Sequence, residues 1–375
     1  MDQCDVLIVG GGPAGSSLAL ALSKAGYDSV VMDRQTFPRD KVCAGWVTPP
    51  ILHSLQIEIK DYCQNRVMQP IHGFRIGIIG DSATETYARD HPVSYGIRRC
   101  EFDHFLLERS GARLRLGQSL NKIERKGSAW VINDSFTAPL MVGAGGHYCP
   151  VARYMGGNTV CRDPIVVAQA IEFRMTPEQS RLCTVGPEMP ELYFCEDYKG
   201  YGWIFRKGDY LNIGLGREDK DNLSDHVRAF CEFLVQAKKV PADIPRKFHG
   251  HAYMLYQHSR RRITADAMLL VGDAAGLAFT HSGEGIRPAV ESGLLAAEAI
   301  RNAQGDYSDG NLAAYRRSIS ARFGDRAATS NLLHLIPDNI RGFLAHHLIT
   351  SHWFASKVII DDWFLHARQQ PLSLA

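Results

Sequence analysis

A glycine turn closes the first apolar run of this chain: Val6-Leu7-Ile8-Val9 leads directly into Gly10-Gly11-Gly12-Pro13-Ala14-Gly15. Gly10, Gly12 and Gly15 have the spacing that permits a tight turn, a close approach of backbone to a pyrophosphate, and packing of a helix on a strand. Ser16 to Ala25 supplies an Ala/Leu-rich helix whose N-terminus faces the phosphates, with Pro13 and Ala14 at its entrance. A second apolar run, Ser29-Val30-Val31-Met32, ends in Asp33, an acid suited to a ribose hydroxyl pair, followed by Arg34. A lone glycine motif says little. Strand, glycines, helix, second strand and terminal acid within a unit of about 30 residues predict a dinucleotide site.

The 375 residues suffice for two lobes with a cleft between them. A formal charge of +2 with no dense Lys/Arg block gives no footing for nucleic acid. Arg260-Arg261-Arg262 reads as a solvated loop or a phosphate contact. Nine cysteines without a C-x-x-C pair argue against both a disulfide framework and zinc, so no metal site is expected. The start Met1-Asp2-Gln3-Cys4-Asp5 lacks the basic region and apolar core of a secretion signal, and no run reaches the ~20 apolar residues of a membrane span. The expectation is a cytoplasmic protein, with peripheral contact at a membrane left open.

Thr36 to Trp46 reads as a loop held near the cofactor, Ile71 to Ile79 and Ser94 to Ile97 as strands, and Phe102 to Arg109 as a helix. From about Val166 to Phe248 the pattern is that of antiparallel strands, at Ala168–Phe173, Leu192–Glu196, Tyr201–Phe205 and Tyr210–Leu215, then an amphipathic helix from Asp225 to Lys238. Ala267 to Asp273 returns to a buried strand, and Gly285 to Arg301 is strongly helical. The nucleotide lobe is therefore discontinuous. The predicted division is a cofactor domain of 1–70, 96–160 and 262–325, a β-sheet substrate domain of 71–95 and 161–261, and a helical C-terminal region of 326–375.

The second strong signal is Gly272-Asp273-Ala274-Ala275-Gly276, followed by Ser282-Gly283-Glu284-Gly285-Ile286 at the opening of an Ala-rich helix. The whole resembles flavoproteins with the glutathione-reductase-like FAD fold: an α/β chain with a Rossmann-like FAD-binding domain, an inserted antiparallel sheet and a helical tail. In that resemblance Asp273 meets the ribityl chain, and the backbone at Gly283, Gly285 and Ile286 favours the reduced, anionic flavin. More closely, the chain resembles the geranylgeranyl reductase family. The residues that carry this are Lys41-Val42-Cys43-Ala44-Gly45, Arg99-Cys100-Glu101-Phe102-Asp103, Tyr201-Gly202-Trp203-Ile204-Phe205, and the pair Gly214 and Gly216.

The resemblance implies that Tyr201, Trp203, Phe205, Gly214 and Gly216 line a lipid cavity. It also puts Cys43 and Ala44 beside the isoalloxazine and Arg99 on FAD, while Asp103 is read as stabilising the start of its helix. Three departures are visible: Arg206 replaces the family's proline, Gly145-Gly146 replaces its Asp-Gly, and Phe279-Thr280 replaces its Asn-Pro. The implied activity is hydride transfer from FADH2 N5 to a carbon–carbon double bond of an isoprenoid-like substrate, with Cys43, Tyr201 and His281 as proton-donor candidates. Electrons are expected from NAD(P)H or a redox protein. An FAD-dependent monooxygenase, a halogenase and a non-catalytic flavin-binding protein stay open as alternatives. The aromatic tail, with Phe343, Leu344, Trp353, Phe354, Trp363 and Phe364, is expected to pack on the nucleotide lobe, with docking on a bilayer as the other reading.

Overall fold

The computed structural model describes residues 1–81, 84–156, 163–219, 221–326 and 346–373. Because Val6–Val9 is buried on both faces, it can only be a central strand. It sits in a six-stranded sheet in the order Thr264–Ala265, Met268–Leu270, Leu140–Gly143, Val6–Val9, Ser29–Asp33, Arg113–Leu116, parallel apart from the Thr264 edge. The first helix runs from Pro13 to Lys24, earlier than the Ser16 start predicted, since proline at the first turn is preset for helix and lacks only an N–H that would have no partner there.

A second helix, Ile286–Ala303, lies against the first. A Cβ on Gly293 would stand 2.6 Å from the carbonyl oxygen of Ala14 and 3.0 Å from the amide nitrogen of Leu18. The two backbones therefore touch.

The other lobe is a seven-stranded sheet ordered His249–Tyr253, Val166–Arg174, Tyr210–Arg217, Gly200–Lys207, Glu191–Phe194, Gly73–Ile78, Thr84–Ala88. Only the Glu191–Phe194 and Gly73–Ile78 pair is parallel. Side chains alternate across it. Ile204 and Ile213 face the amphipathic helix Leu223–Gln236 through Phe230 and Leu234, whereas Trp203 and Phe205 join Phe74 and Ile76 on the opposite face. The single strand predicted over Ile71–Ile79 is divided between sheets. Met68–Ile71 pairs with Ser94–Ile97, and the chain changes sheet at His72, beside Gly73, where a Cβ would meet Tyr87 O at 1.9 Å.

The C-terminal segment departs from expectation. His352–Phe354 continues into a π-helical stretch, Ala355–Phe364, which buries Ile359, Ile360 and Phe364 on the aromatic face of the seven-stranded sheet rather than on the nucleotide lobe. The rest of the predicted tail helix, 327–345 with Phe343 and Leu344, lies outside the described residues. Arg287 clamps this strap from the second helix, donating to the carbonyls of Leu365, His366 and Gln369 at 3.3, 3.4 and 2.9 Å. The arginine triplet is also tied internally: Arg261 donates to the carbonyls of Ala274 and His147, and Arg262 pairs with Asp309. Among the described residues, no helix is long and apolar enough to cross a membrane.

Candidate functional site

A cavity of about 690 Å³ runs between the lobes. Gly10, Gly12, Pro13, Ala14, Asp33 and Arg34 line one end, and Trp46, Ala168, Tyr201, Trp203 and Tyr253 line the other. Between them lie Lys41, Cys43, Ala44, Arg99, Asp273 and the loop Gly283, Gly285, Ile286.

The first end is shaped by backbone. Gly10 has φ +120° and passes so close to Ala144 that a Cβ would lie 2.4 Å from its carbonyl. Gly15 does not line the cavity; its missing Cβ would fall 1.9 Å from Gly10 O, so it serves the helix-on-strand contact. Gly272, at φ +59°, likewise makes the turn that delivers Asp273 without facing the cavity itself. The Asp33 carboxylate accepts from the amides of Gly11 and Gln35 at 2.7 and 2.8 Å, which fixes it at the strand end.

Arg99 is buried, and its guanidinium donates twice to Asp103 at 2.8 and 2.9 Å. Burial opposes the charge on Arg99, but the Asp103 carboxylate outweighs it and raises the arginine pKa. Arg39 also meets Asp103, at 3.2 Å. Asp103 is therefore an internal counter-ion, not the helix-start residue expected; it stands in the second turn, where no orphan amide is available to it.

The aromatic end needs four corrections. Tyr201 and Trp203 do line the cavity, but Phe205 stands behind Trp46, stacked at 5.1 Å, and is fully buried. Gly214 faces Trp203 across the sheet, and a Cβ there would lie 2.2 Å from the indole, so its role is to admit that ring. Gly216, opposite Tyr201, also lies outside the cavity lining, its Cβ position 3.6 Å from Ala168. His281 is exposed and stacks on Trp363 of the strap at 4.8 Å, because the residue before Ser282 turns away from the loop interior. Arg206, where the family has proline, continues a regular strand and donates to Ser180 Oγ at 2.7 Å.

Tyr201 donates its hydroxyl proton to the carbonyl of Ser282, and burial pushes its pKa well above the ordinary tyrosine range. Cys43 is half-buried on the cavity wall; its Sγ accepts from Gly45 N at 3.4 Å. Asn212 joins this wall to the sheet, accepting from Trp203 Nε1 at 2.8 Å and donating to Cys43 O at 2.9 Å. Sequence reasoning missed Asn212, Tyr253, Glu284 and His251. The strand His249-Gly250-His251-Ala252-Tyr253 did carry a period-two signal that would have put His251 and Tyr253 on one face. Glu284 also lines the cavity; burial raises its carboxyl to about 7, against the pull of the Arg287 amide it accepts at 2.7 Å.

These residues fit an extended dinucleotide flavin. Gly12 leaves the first helix N-terminus open beneath Arg39, whose Nη1 is buried without a partner and suits an anionic group. At the other end a Cβ on Gly285 would press on Asp273 Oδ1 at 3.2 Å, so the second N-terminus is kept clear as well. Fold and cavity define an FAD-dependent oxidoreductase.

The description "FAD binding domain" matches residues 3–56. The chain is 29% identical over 307 residues to an uncharacterised protein of Methanosarcina barkeri, covering 80% of this chain and 75% of that one. It is 26% identical over 331 residues to the digeranylgeranylglycerophospholipid reductase of Methanocaldococcus jannaschii, covering 84% and 82%. The crystal structure of a geranylgeranyl bacteriochlorophyll reductase-like protein from Thermoplasma acidophilum superposes with a TM-score of 0.73 at 22% identity, covering 100% of this chain and 94% of that one. The chain is an FAD-dependent oxidoreductase similar to proteins of the geranylgeranyl reductase type.

Proposed function

We propose that this protein reduces carbon–carbon double bonds of a polyprenyl lipid. The observation that carries the reading is the aromatic end of the cavity: Trp46, Tyr201 and Trp203 offer flat apolar surface to a chain with no hydrogen-bonding groups along its length. Bound FAD would supply the hydride. Gly10, Gly12, Pro13, Ala14, Asp33 and Arg34 would hold its adenylate half, and Cys43, Ala44, Arg99, Asp273, Gly283, Gly285 and Ile286 its flavin half.

The N-terminus of the Ile286–Ala303 helix places positive potential where reduction deposits negative charge. Tyr201, bonded to Ser282 O, holds the loop that carries Gly283 against the sheet. Of the three proton-donor candidates, His281 stands outside the cavity and Tyr201 has its proton committed to a carbonyl, so Cys43 takes the role of placing or protonating the substrate. Electrons arrive from NAD(P)H or a redox protein. The strap exposes Trp353 at 67% and Leu348 at 43%, apolar surface suited to meeting a bilayer that presents the lipid.

Incubation of the purified yellow protein with polyprenyl lipids, a reductant and no oxygen tests this. The expected product gains two hydrogens per reduced bond by mass spectrometry. A product formed only in air and carrying new oxygen, or a protein that takes up no FAD, overturns the reading.

A further inference from the structure

Two cavity residues, Lys41 and His251, have no part in the reading above, and they form a cluster with Asp273. Lys41 comes from the loop after the second parallel strand, His251 from the edge strand of the seven-stranded sheet, and Asp273 from the end of the Met268–Leu270 strand. All three line the cavity. Lys41 Nζ lies 2.9 Å from His251 Nδ1 and 3.0 Å from Nε2, and His251 Nε2 lies 3.5 Å from Asp273 Oδ2. A neutral ring protonated at Nε2 leaves Nδ1 free to accept from Lys41 while Nε2–H faces the carboxylate. A lysine is an expensive residue to keep in such a place unless its charge answers another.

We propose that Lys41, held through His251 to Asp273, supplies the counter-charge to reduced FAD and takes up a proton linked to that reduction. The inference rests on FAD occupying the cavity and is independent of the substrate. Two electrons enter the cofactor from the donor, one proton accompanies them, and the ring is left with one net negative charge; the Lys41 ammonium balances it. Where Lys41 is neutral before reduction, Nζ gains one proton from solvent as the electrons arrive.

The groups around Lys41 set the pH range. Burial, Arg99 and Arg39 lower it while Asp273 and Cys43 raise it, leaving it at about 8. Burial also lowers His251, and it holds His147, the other nearby imidazole, at about 4. Tyr253, on the same strand as His251, is pushed up by burial and stays protonated. The ammonium is thus the member of the cluster that changes charge near pH 8. Negative charge on the cofactor makes Lys41 bind its proton more tightly, so just above pH 8 reduction draws in one extra proton and the midpoint potential falls more steeply with pH.

Dye-equilibrated potentiometry on the FAD-loaded protein tests this, with dithionite as reductant and no lipid. Lys41→Met is expected to lower the ratio of reduced to oxidised flavin at fixed potential and pH 7 at least tenfold, about 30 mV for a two-electron couple, and to abolish the steep segment above pH 8. Lys41→Arg keeps the charge at every pH, so the ratio at pH 7 holds within threefold while the steep segment disappears. A Lys41→Met protein within threefold of wild type, or a break near pH 8 that survives in Lys41→Arg, overturns the proposal. Should Lys41→Met fail to retain FAD, the Lys41→Arg profile decides alone. A wild-type protein that takes up no FAD would instead defeat the cofactor assignment.

Discussion

The two ends of the cavity are built in opposite ways. At the glycine end, backbone occupies the space a side chain would need: Cβ atoms on Gly10 and Gly15 would collide with main chain at 2.4 and 1.9 Å. At the aromatic end, rings fill the space. Trp46 stacks on Phe205 and meets Phe74 at 6.0 Å and Phe364 at 5.6 Å, while Phe364 also packs edge-on against Tyr201 at 5.4 Å. The first end is fixed by steric exclusion and the second by packing. Packing can be resized at a cost of a few kcal/mol, whereas steric exclusion by backbone leaves no alternative.

The largest expected effect is therefore at the glycine end. Gly15→Val should leave no folded FAD complex, or lower FAD affinity at least a hundredfold in a flavin-fluorescence titration; near-wild-type binding would break the contrast. At the other end Phe364→Ala should destabilise by about 3–5 kcal/mol, as for a large ring removed from a core, while FAD is still bound. Hydrogen exchange should show the loss concentrated in residues 355–370 and the seven-stranded sheet.

The neighbouring glycines sharpen the comparison within one strand. Gly214→Ala drives a methyl into the Trp203 indole and should cost about 2–3 kcal/mol in urea denaturation, whereas Gly216→Ala, with 3.6 Å of clearance, should cost under about 1 kcal/mol. Equal costs would mean that the sheet flexes around Trp203.

The smallest effect is electrostatic. Burial beside Phe279, on which it stacks at 3.6 Å, together with Arg287 lowers the His366 pKa to about 3 from 6.5. The unfolded chain then binds the extra proton between those values, so the strap's stability is complete above pH 6.5 and falls as the solution is acidified. A loss of about 1–2 kcal/mol at pH 5 is expected. It should be absent in His366→Phe, as followed by near-ultraviolet dichroism of the strap tryptophans.

The glycine end was legible because its information is local. A buried strand, a turn that only glycine fits and a following helix occupy consecutive residues, and Asp33 and Asp273 each end a run of apolar residues. The aromatic end was legible only as composition. Alternation puts Tyr201, Trp203 and Phe205 on one face, but Trp46, stacked on Phe205, comes between that ring and the cavity that the first two meet. His281 was misplaced and His251 missed for a common reason: what surrounds each is far away in sequence, Trp363 in one case and Lys41 with Asp273 in the other. Local pattern carries no record of such encounters. The run Ile71–Ile79 shows the reverse failure, since uniform β-propensity conceals a change of sheet at His72.

Gly293 has a further consequence. By letting the Pro13 and Ile286 helices touch backbone to backbone, it locks their two N-termini at a single separation, one where the pyrophosphate of a bound FAD would lie and one where its ring would. The pair works as a fixed caliper for the coenzyme. The ring, ribityl chain and first phosphate of a flavin would span the two jaws, so their separation sets the length of that half, and the adenylate half would be recognised by the contacts beyond it, at Asp33 and Arg34.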